Sequence, residues 1–371
     1  MKQKFQETDR KVCGEQTIAE YKNIFCGDIF DWETFSLEEL RASVNLDDRP
    51  DFFMGVREQL CKLGTYVDRS DPEQMLREVK MRYLARTGEI CPRTIQEWFR
   101  GTAPGGTNRK NNYLLCYALE MNLQETAEFF RKYYLTVPFC CKDRIDAVFF
   151  YCLSHDRPYE VMKDMLDTAK QFETQPESGT KTAQIAGFIA DTEDDKQFLA
   201  YMSRHCYDKR RQYQSSRKRI CALLERHKTS SVAELHQNVM GFHYQDAILT
   251  KQKRRYDLPE EFLRSLPTDR TFIDIQKGKQ ETYETLRKTL IILLFYDFYM
   301  EAQQAEIDPE NSQIRENLLD FYEGTNEILK ECGLVPLYVR HPFDKLILRC
   351  AASKYPLETF YGLNDLRYFE A

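Results

Sequence analysis

Arg93, Gln96 and Arg100 stand three and four positions apart in the segment Pro92-Arg93-Thr94-Ile95-Gln96-Glu97-Trp98-Phe99-Arg100-Gly101. A helix over this segment puts those three and Glu97 on one side, with Ile95, Trp98 and Phe99 on the other. Arg offers a two-pronged donor that matches guanine, and a Gln amide matches an adenine edge. The polar side therefore carries the chemistry of base reading in a major groove. Arg82, Arg86, Arg109 and Lys110 flank the segment and are expected to hold phosphates on either side. Glu97 would repel phosphates unless it accepts from a cytosine amino group or pairs with an Arg.

These side chains need a frame. Upstream, Tyr83-Leu84-Ala85-Arg86-Thr87 reads as the end of a helix, and Ala85 is small enough to let the next helix cross closely. Gly88 can take the positive φ of a tight interhelical turn. Pro92 suits a first helical turn, where its missing N–H would be unbonded anyway. Gly101 then closes the second helix.

The stretch resembles a helix-turn-helix of the Cro/phage-repressor (XRE-type) class over residues 71–131, about one sixth of the chain. The likeness lies in Leu84-Ala85, Ile90, Thr94-Ile95 and Trp98 through Gly101, and continues in Asn112-Tyr113-Leu114-Leu115-Cys116-Tyr117-Ala118-Leu119. It implies that Pro92–Arg100 is the recognition helix, braced by the helix ending at Thr87. The chain departs from the family where Glu89 takes the usual turn Gly position and Cys91 the usual Ser or Thr cap. Pairing of half-sites through a homodimer is what the class implies.

Apolar residues recur every three or four positions along most of the 371 residues, and few stretches alternate, so the chain is predicted to be all-α and multi-helical. Phe149–Leu153 and Leu286–Met300 read as buried helices. The expected divisions are an acidic leader over 1–70, the helix-turn-helix over 71–135, a helical middle over 136–250 and a C-terminal helical domain over 251–371. A composition of 42% hydrophobic and 30% charged residues suits a folded protein and excludes a disordered one. With 15 Gly and 13 Pro, a Gly-rich cofactor cradle is not expected.

Charge is unevenly placed in a chain of net charge −6. Arg77–Lys110 holds eight Lys/Arg against three Glu, and Arg204–Lys228 nine against two acids. Such focusing suits a polyanion. In the second window Lys209, Arg210, Arg211, Arg217, Lys218 and Arg219, interleaved with Tyr207 and Tyr213, could track a phosphate backbone. The same residues could equally form a solvated helix surface.

An internal repeat spans these regions. Val137–Met162 aligns without gaps to Val335–Phe360, with identities at Val137/Val335, Pro138/Pro336, Asp146/Asp344, Cys152/Cys350, Pro158/Pro356 and Glu160/Glu358. Upstream of each copy an Arg-Lys pair opens an apolar helix, at Arg109-Lys110 and Arg287-Lys288. A duplicated helical unit is expected, near 75–165 and 255–365. The second copy carries Arg270, Ile273, Asp274 and Lys277 where the first has its polar face, a set that suits burial or dimerisation better than a groove.

Enzyme signatures are scarce. No His follows an Arg by five positions, and there is no phosphate loop, GxSxG or kinase-like set. His236 and His243 read as a structural pair, and the acids at Asp191, Glu193, Asp194 and Asp195 read as serving a helix N-terminus. No metal or cofactor is expected. Twelve Cys without a CxxC read as reduced thiols, and neither a secretory leader nor a membrane span is legible, so a cytoplasmic location is expected. Together these readings predict a non-enzymatic, sequence-specific double-stranded DNA-binding protein, a transcriptional regulator of a bacterium or mobile element. The alternative is a helical interaction protein, such as one acting in defence against phage, whose helix-turn-helix is structural.

Overall fold

The computed structural model describes residues 15–27, 52–68, 70–101, 104, 108–134, 136–173, 182–206, 213–230, 234–235, 266–279, 281–303, 311–357 and 359–360. In chain order its helices are α1 (Glu15–Cys26), α2 (Phe52–Lys62), α3 (Pro72–Thr87), α4 (Arg93–Trp98), α5 (Arg109–Ala118), α6 (Leu123–Phe129), α7 (Arg144–Ser154), α8 (Tyr159–Lys170), α9 (Thr182–Asp191), α10 (Asp195–His205), α11 (Gln214–Arg226), α12 (Asp269–Gln276), α13 (Tyr283–Gln303), α14 (Asn311–Glu331) and α15 (Pro342–Ala351). The chain is all-α, with no strand among the described residues.

Two compact units divide it, Pro50–Gln212 and the combination of Met1–Arg49 with Tyr213–Ala371. This differs from the divisions expected at 70, 135 and 250. The boundary at 135 fails because Tyr113 stacks on both sides of it, 4.3 Å from the Phe130 ring and 4.7 Å from Phe149. The leader is split: α2 packs on α3, whereas α1 packs on α14. There Tyr21 and Phe25 meet Tyr322, and Arg315 donates to the Phe25 and Gly27 carbonyls at 2.9 and 2.6 Å, closing the end of α1.

In the 50–212 unit, the inward stripes of α2, α3, α5 and α7 form the core, with Val56, Leu60, Val79, Leu115 and Val148 fully enclosed. A Cβ on Gly55 would lie 2.5 Å from the Tyr133 ring, so only glycine lets that ring close over α2. Asp71 caps α3 by accepting the Gln74 N–H at 2.8 Å, and Pro72 supplies the first turn. Asn122 and Glu125 form a reciprocal capping box on α6.

Each unit contains a buried arginine–aspartate clasp. In one, Arg109 Nε donates to Asp146 Oδ1 at 2.6 Å and its Nη2 donates to Asp146 Oδ2 and the Val137 carbonyl. The Cys140 N–H completes the carboxylate at 2.7 Å, and Asp143 caps α7. In the other, Arg287 grips Asp344 through both Nη atoms at 2.8 and 2.6 Å and donates through Nε to the Val335 carbonyl at 2.9 Å. The Tyr338 N–H completes that carboxylate at 2.8 Å, and His341 caps α15. Val137, Cys140, Asp143 and Asp146 precede Val335, Tyr338, His341 and Asp344 by one constant offset.

Candidate nucleic-acid interface

The segment from α3 to α4 is built by local signals. Gly88 ends α3 at φ +67°, donating its N–H to the Leu84 carbonyl at 2.8 Å. Glu89, where the turn departs from the repressor-like pattern, receives Lys163 at 2.5 Å and the Tyr159 hydroxyl at 2.8 Å, pinning the turn to α8. Those two contacts, Lys163 foremost, hold the Glu89 carboxyl below the usual carboxylate range. Cys91 is buried, which pushes its thiol up to about 11 and leaves it no nucleophile at neutral pH.

Helix α4 turns Ile95, Trp98 and Phe99 inward. The indole sits edge-on to Phe52 at 6.2 Å and 6.1 Å from Tyr134. Arg93 and Arg100 face outward, with 90% and 55% of their side chains exposed. Arg93 Nε donates to Glu97 at 2.8 Å, so the acid on that face is answered by its own neighbour. Arg100 lies 3.8 Å from exposed Glu73. Gln96 is half-buried, and its Nε2 donates to the Cys91 carbonyl at 2.8 Å. The second N–H of that amide and its oxygen remain on offer.

The flanking cations separate. Arg86 is exposed, its guanidinium 4.9 Å from the Tyr117 ring centroid, and Lys110 is half-buried. Arg82 is largely spoken for: it pairs with Glu120 at 3.0 Å and donates to the Leu63 carbonyl and Thr65 hydroxyl. Arg109 corrects the sequence reading outright. It is 3% exposed and enclosed by Asp146, so it cannot reach a phosphate. Arg77, which heads the first basic window but is not among the expected phosphate contacts, is exposed on α3 with Asp71 4.0 Å away. One full turn before Met81 on α3, its spacing could have revealed it.

Three apolar positions that carry the resemblance also lie differently. Ala85 is exposed rather than at a helix crossing, and Leu84 and Ile90 are 54% and 85% exposed. With Met81 they make an apolar strip between the cations. Of the second basic window, Lys209, Arg210 and Arg211 lie outside the described residues. Arg217, Lys218 and Arg219 lie on α11, the first half-buried and the others exposed.

The acids expected at a helix N-terminus divide. Asp194 accepts the Gln197 N–H at 2.7 Å and so caps α10, while Asp195 takes the Tyr151 hydroxyl at 2.7 Å. His155 meets the Ile189 carbonyl, His227 meets Asp297, and His341 meets Glu284. His236 and His243 lie outside the described residues. Among the described residues, no three His, Cys, Asp or Glu gather as a metal set, and no helix is long and apolar enough to cross a membrane. No family model, curated protein or solved structure matches the chain.

Proposed function

We propose that the protein is a non-enzymatic double-stranded DNA-binding protein that reads sequence by laying α4 in a major groove. The observation that carries this reading is outward Arg93 on a short helix anchored by buried Ile95 and Trp98, with outward Arg100 in the turn just after buried Phe99 that ends it. A helix backbone fixed by its buried side chains sets where each guanidinium can meet a guanine edge. Gln96 contributes its amide oxygen and one remaining N–H, and Arg77, Arg86 and Lys110 take the phosphate role in place of Arg82 and Arg109. A homodimer would pair two such helices on half-sites.

Selection from random duplexes, repeated with Arg93→Ala and Arg100→Ala, tests the proposal. An enriched motif should appear, and each variant should relax it by about 1–3 kcal/mol at the position it contacts. Absence of a motif, or a motif indifferent to both variants, would sink the reading.

The second reading, a protein-interaction face, is favoured by one observation: the strip of Met81, Leu84 and Ile90, 57%, 54% and 85% exposed. Apolar side chains grouped at the surface suit a protein contact better than a phosphate backbone. Under this reading Leu84→Ser with Ile90→Ser abolishes a partner contact and leaves the duplex selection unchanged.

A further inference from the structure

The second unit has a helix pair of its own ahead of its clasp. Helix α11 packs against both α12 and α13, as α3 packs against α5 in the other unit. Ser216, Ile220, Leu223 and Leu224 point inward from α11, and Phe272 and Ile275 from α12. Arg217 ties the two helices together by donating to the Lys279 carbonyl. What remains outward is strongly basic: Lys218 and Arg219 on α11, Arg270 on α12, and Lys277 and Lys279 at its end.

Half-buried Asp269 and Asp274 lie on α12 itself, and Glu331 shares the Cys332 neighbourhood with Arg219. Asp274 is matched by Lys279 at 2.6 Å and Arg270 at 3.7 Å. Lys279 foremost, with Arg270 and Lys277, holds the Asp274 carboxyl below its ordinary range, as a positive local potential requires. Glu281 faces Arg217 and Lys279, and Glu225 is exposed further along α11. No ion pair joins Lys218, Arg219 or Lys277 to an acid among the described residues. The face expected from sequence to be buried or dimeric is thus open within its unit: the Arg270 side chain is 86% exposed, and Ile273 is 36% exposed.

We propose that α11 and α12 together form a sequence-independent binding face for the phosphate backbone of double-stranded DNA, contacted by Lys218, Arg219, Arg270 and Lys277. Arg270 and Lys277 lie two helical turns apart, about 10 Å along α12. A bilayer fits the face poorly, because Ile273 is the one large apolar side chain exposed on the described residues of these helices. The donors are long and exposed, and three of them, Lys218, Arg219 and Lys277, have no ion pair among the described residues, which suits contact with a phosphate backbone. This face does not depend on α4 entering a groove.

The test uses the full-length chain, a 30-base-pair duplex of arbitrary sequence, and the triple variant Lys218→Gln, Arg219→Gln, Lys277→Gln. All three substituted side chains are exposed, so the fold should stand, and circular dichroism checks it. The wild type should bind with a steep dependence of log K on log salt. The triple variant should bind at least tenfold more weakly, with that slope reduced by about 2–3, since each lost phosphate contact removes about 0.9. An unchanged slope, or no duplex binding at 50 mM salt, would overturn the proposal. So would retention on phosphatidylserine vesicles with no duplex binding, which would assign the face to a membrane surface. The α4 reading is scored separately. Arg93→Ala and Arg100→Ala should alter sequence preference, whereas the triple variant should weaken all duplexes alike.

Discussion

The two clasps perform one structural task with different surroundings. Around Asp146 the neighbours are largely neutral: the Tyr113 and Phe130 rings lie beside the Arg109 guanidinium, and Asp143 turns back to cap α7. Around Asp344 the charge continues outward. His341 replaces the capping acid and meets Glu284 at 3.1 Å, and Lys288 meets the same Glu284 at 3.3 Å. Even the tyrosine differs in origin. Tyr113, one turn after its arginine, accepts the Phe139 N–H at 2.7 Å, while Tyr283, one turn before its arginine, accepts the Val335 N–H at 2.9 Å. In both units the loop ahead of a helix is held by the same four parts: an Arg–Asp pair, a backbone amide on the carboxylate, a valine carbonyl on the guanidinium and a tyrosine hydroxyl on a loop N–H. The shell around it is free to be apolar or ionic.

The largest expected effect is to break one clasp from one side. Asp146→Ala strands a guanidinium that is 3% exposed, and a buried charge without its partner costs about 3–5 kcal/mol. Urea denaturation of the full chain, with hydrogen exchange followed on α5 and α7, should show the loss confined to the 50–212 unit. Asp344→Ala should do the same to α13 and α15.

Replacing both partners sharpens the contrast. Arg109→Met with Asp146→Leu should recover most of the single-variant loss, because well-packed apolar side chains avoid the desolvation cost. Arg287→Met with Asp344→Leu should recover less. Arg287 serves two carbonyls, Val335 and Pro336, and the swap orphans both beside the charged cluster of Glu284, His341 and Lys288. Each orphaned carbonyl costs about 1–3 kcal/mol. Equal recovery in the two units would mean that the ionic shell contributes nothing.

Acid should also tell the units apart. Burial alone would raise the Glu284 carboxyl, but His341, Lys288 and Arg287 outweigh it and hold the group well below its ordinary value of 4.5. A carboxylate lowered by folding adds stability above its unfolded value, and that stability is lost as pH falls toward the folded one. Glu284→Gln should therefore destabilise the chain at pH 7, and the gap from the wild type should close as pH falls below about 4.5. A gap constant between pH 7 and pH 3 would contradict the assignment.

How much of this could be read from the chain depends on whether the signal was local. Helical periodicity marked α5, α7 and α13, and the inward set of Ile95, Trp98 and Phe99 followed from spacing within six residues. The clasp did not. Arg109 and Asp146 both recur in the repeat, as Arg287 and Asp344, yet a pair 37 residues apart leaves no mark of its pairing in one sequence, and Arg109 read as a surface cation. Recurrence of both members was the available clue, since a phosphate contact gives no reason for an aspartate to recur with it. Ala85 failed for another reason: smallness permits a close crossing but does not require one. That α11 packs on α13 as α3 packs on α5 was not legible, because residues 231–265 separate α11 from the aligned part of its unit, a gap no fixed-offset comparison can bridge.

The smallest predicted effect is the one that separates architecture from recognition. Arg93 is paired with Glu97 at 2.8 Å, but its side chain is 90% exposed, so water screens the attraction and ordering two long side chains offsets the remainder. Arg93→Ala should change the free energy of unfolding by no more than about 0.5 kcal/mol. Both clasps and the Trp98 wedge would be left as they are. A larger loss in thermal or urea denaturation would show that the guanidinium braces the fold. A negligible one, together with a relaxed duplex motif, is what a side chain kept for recognition must give.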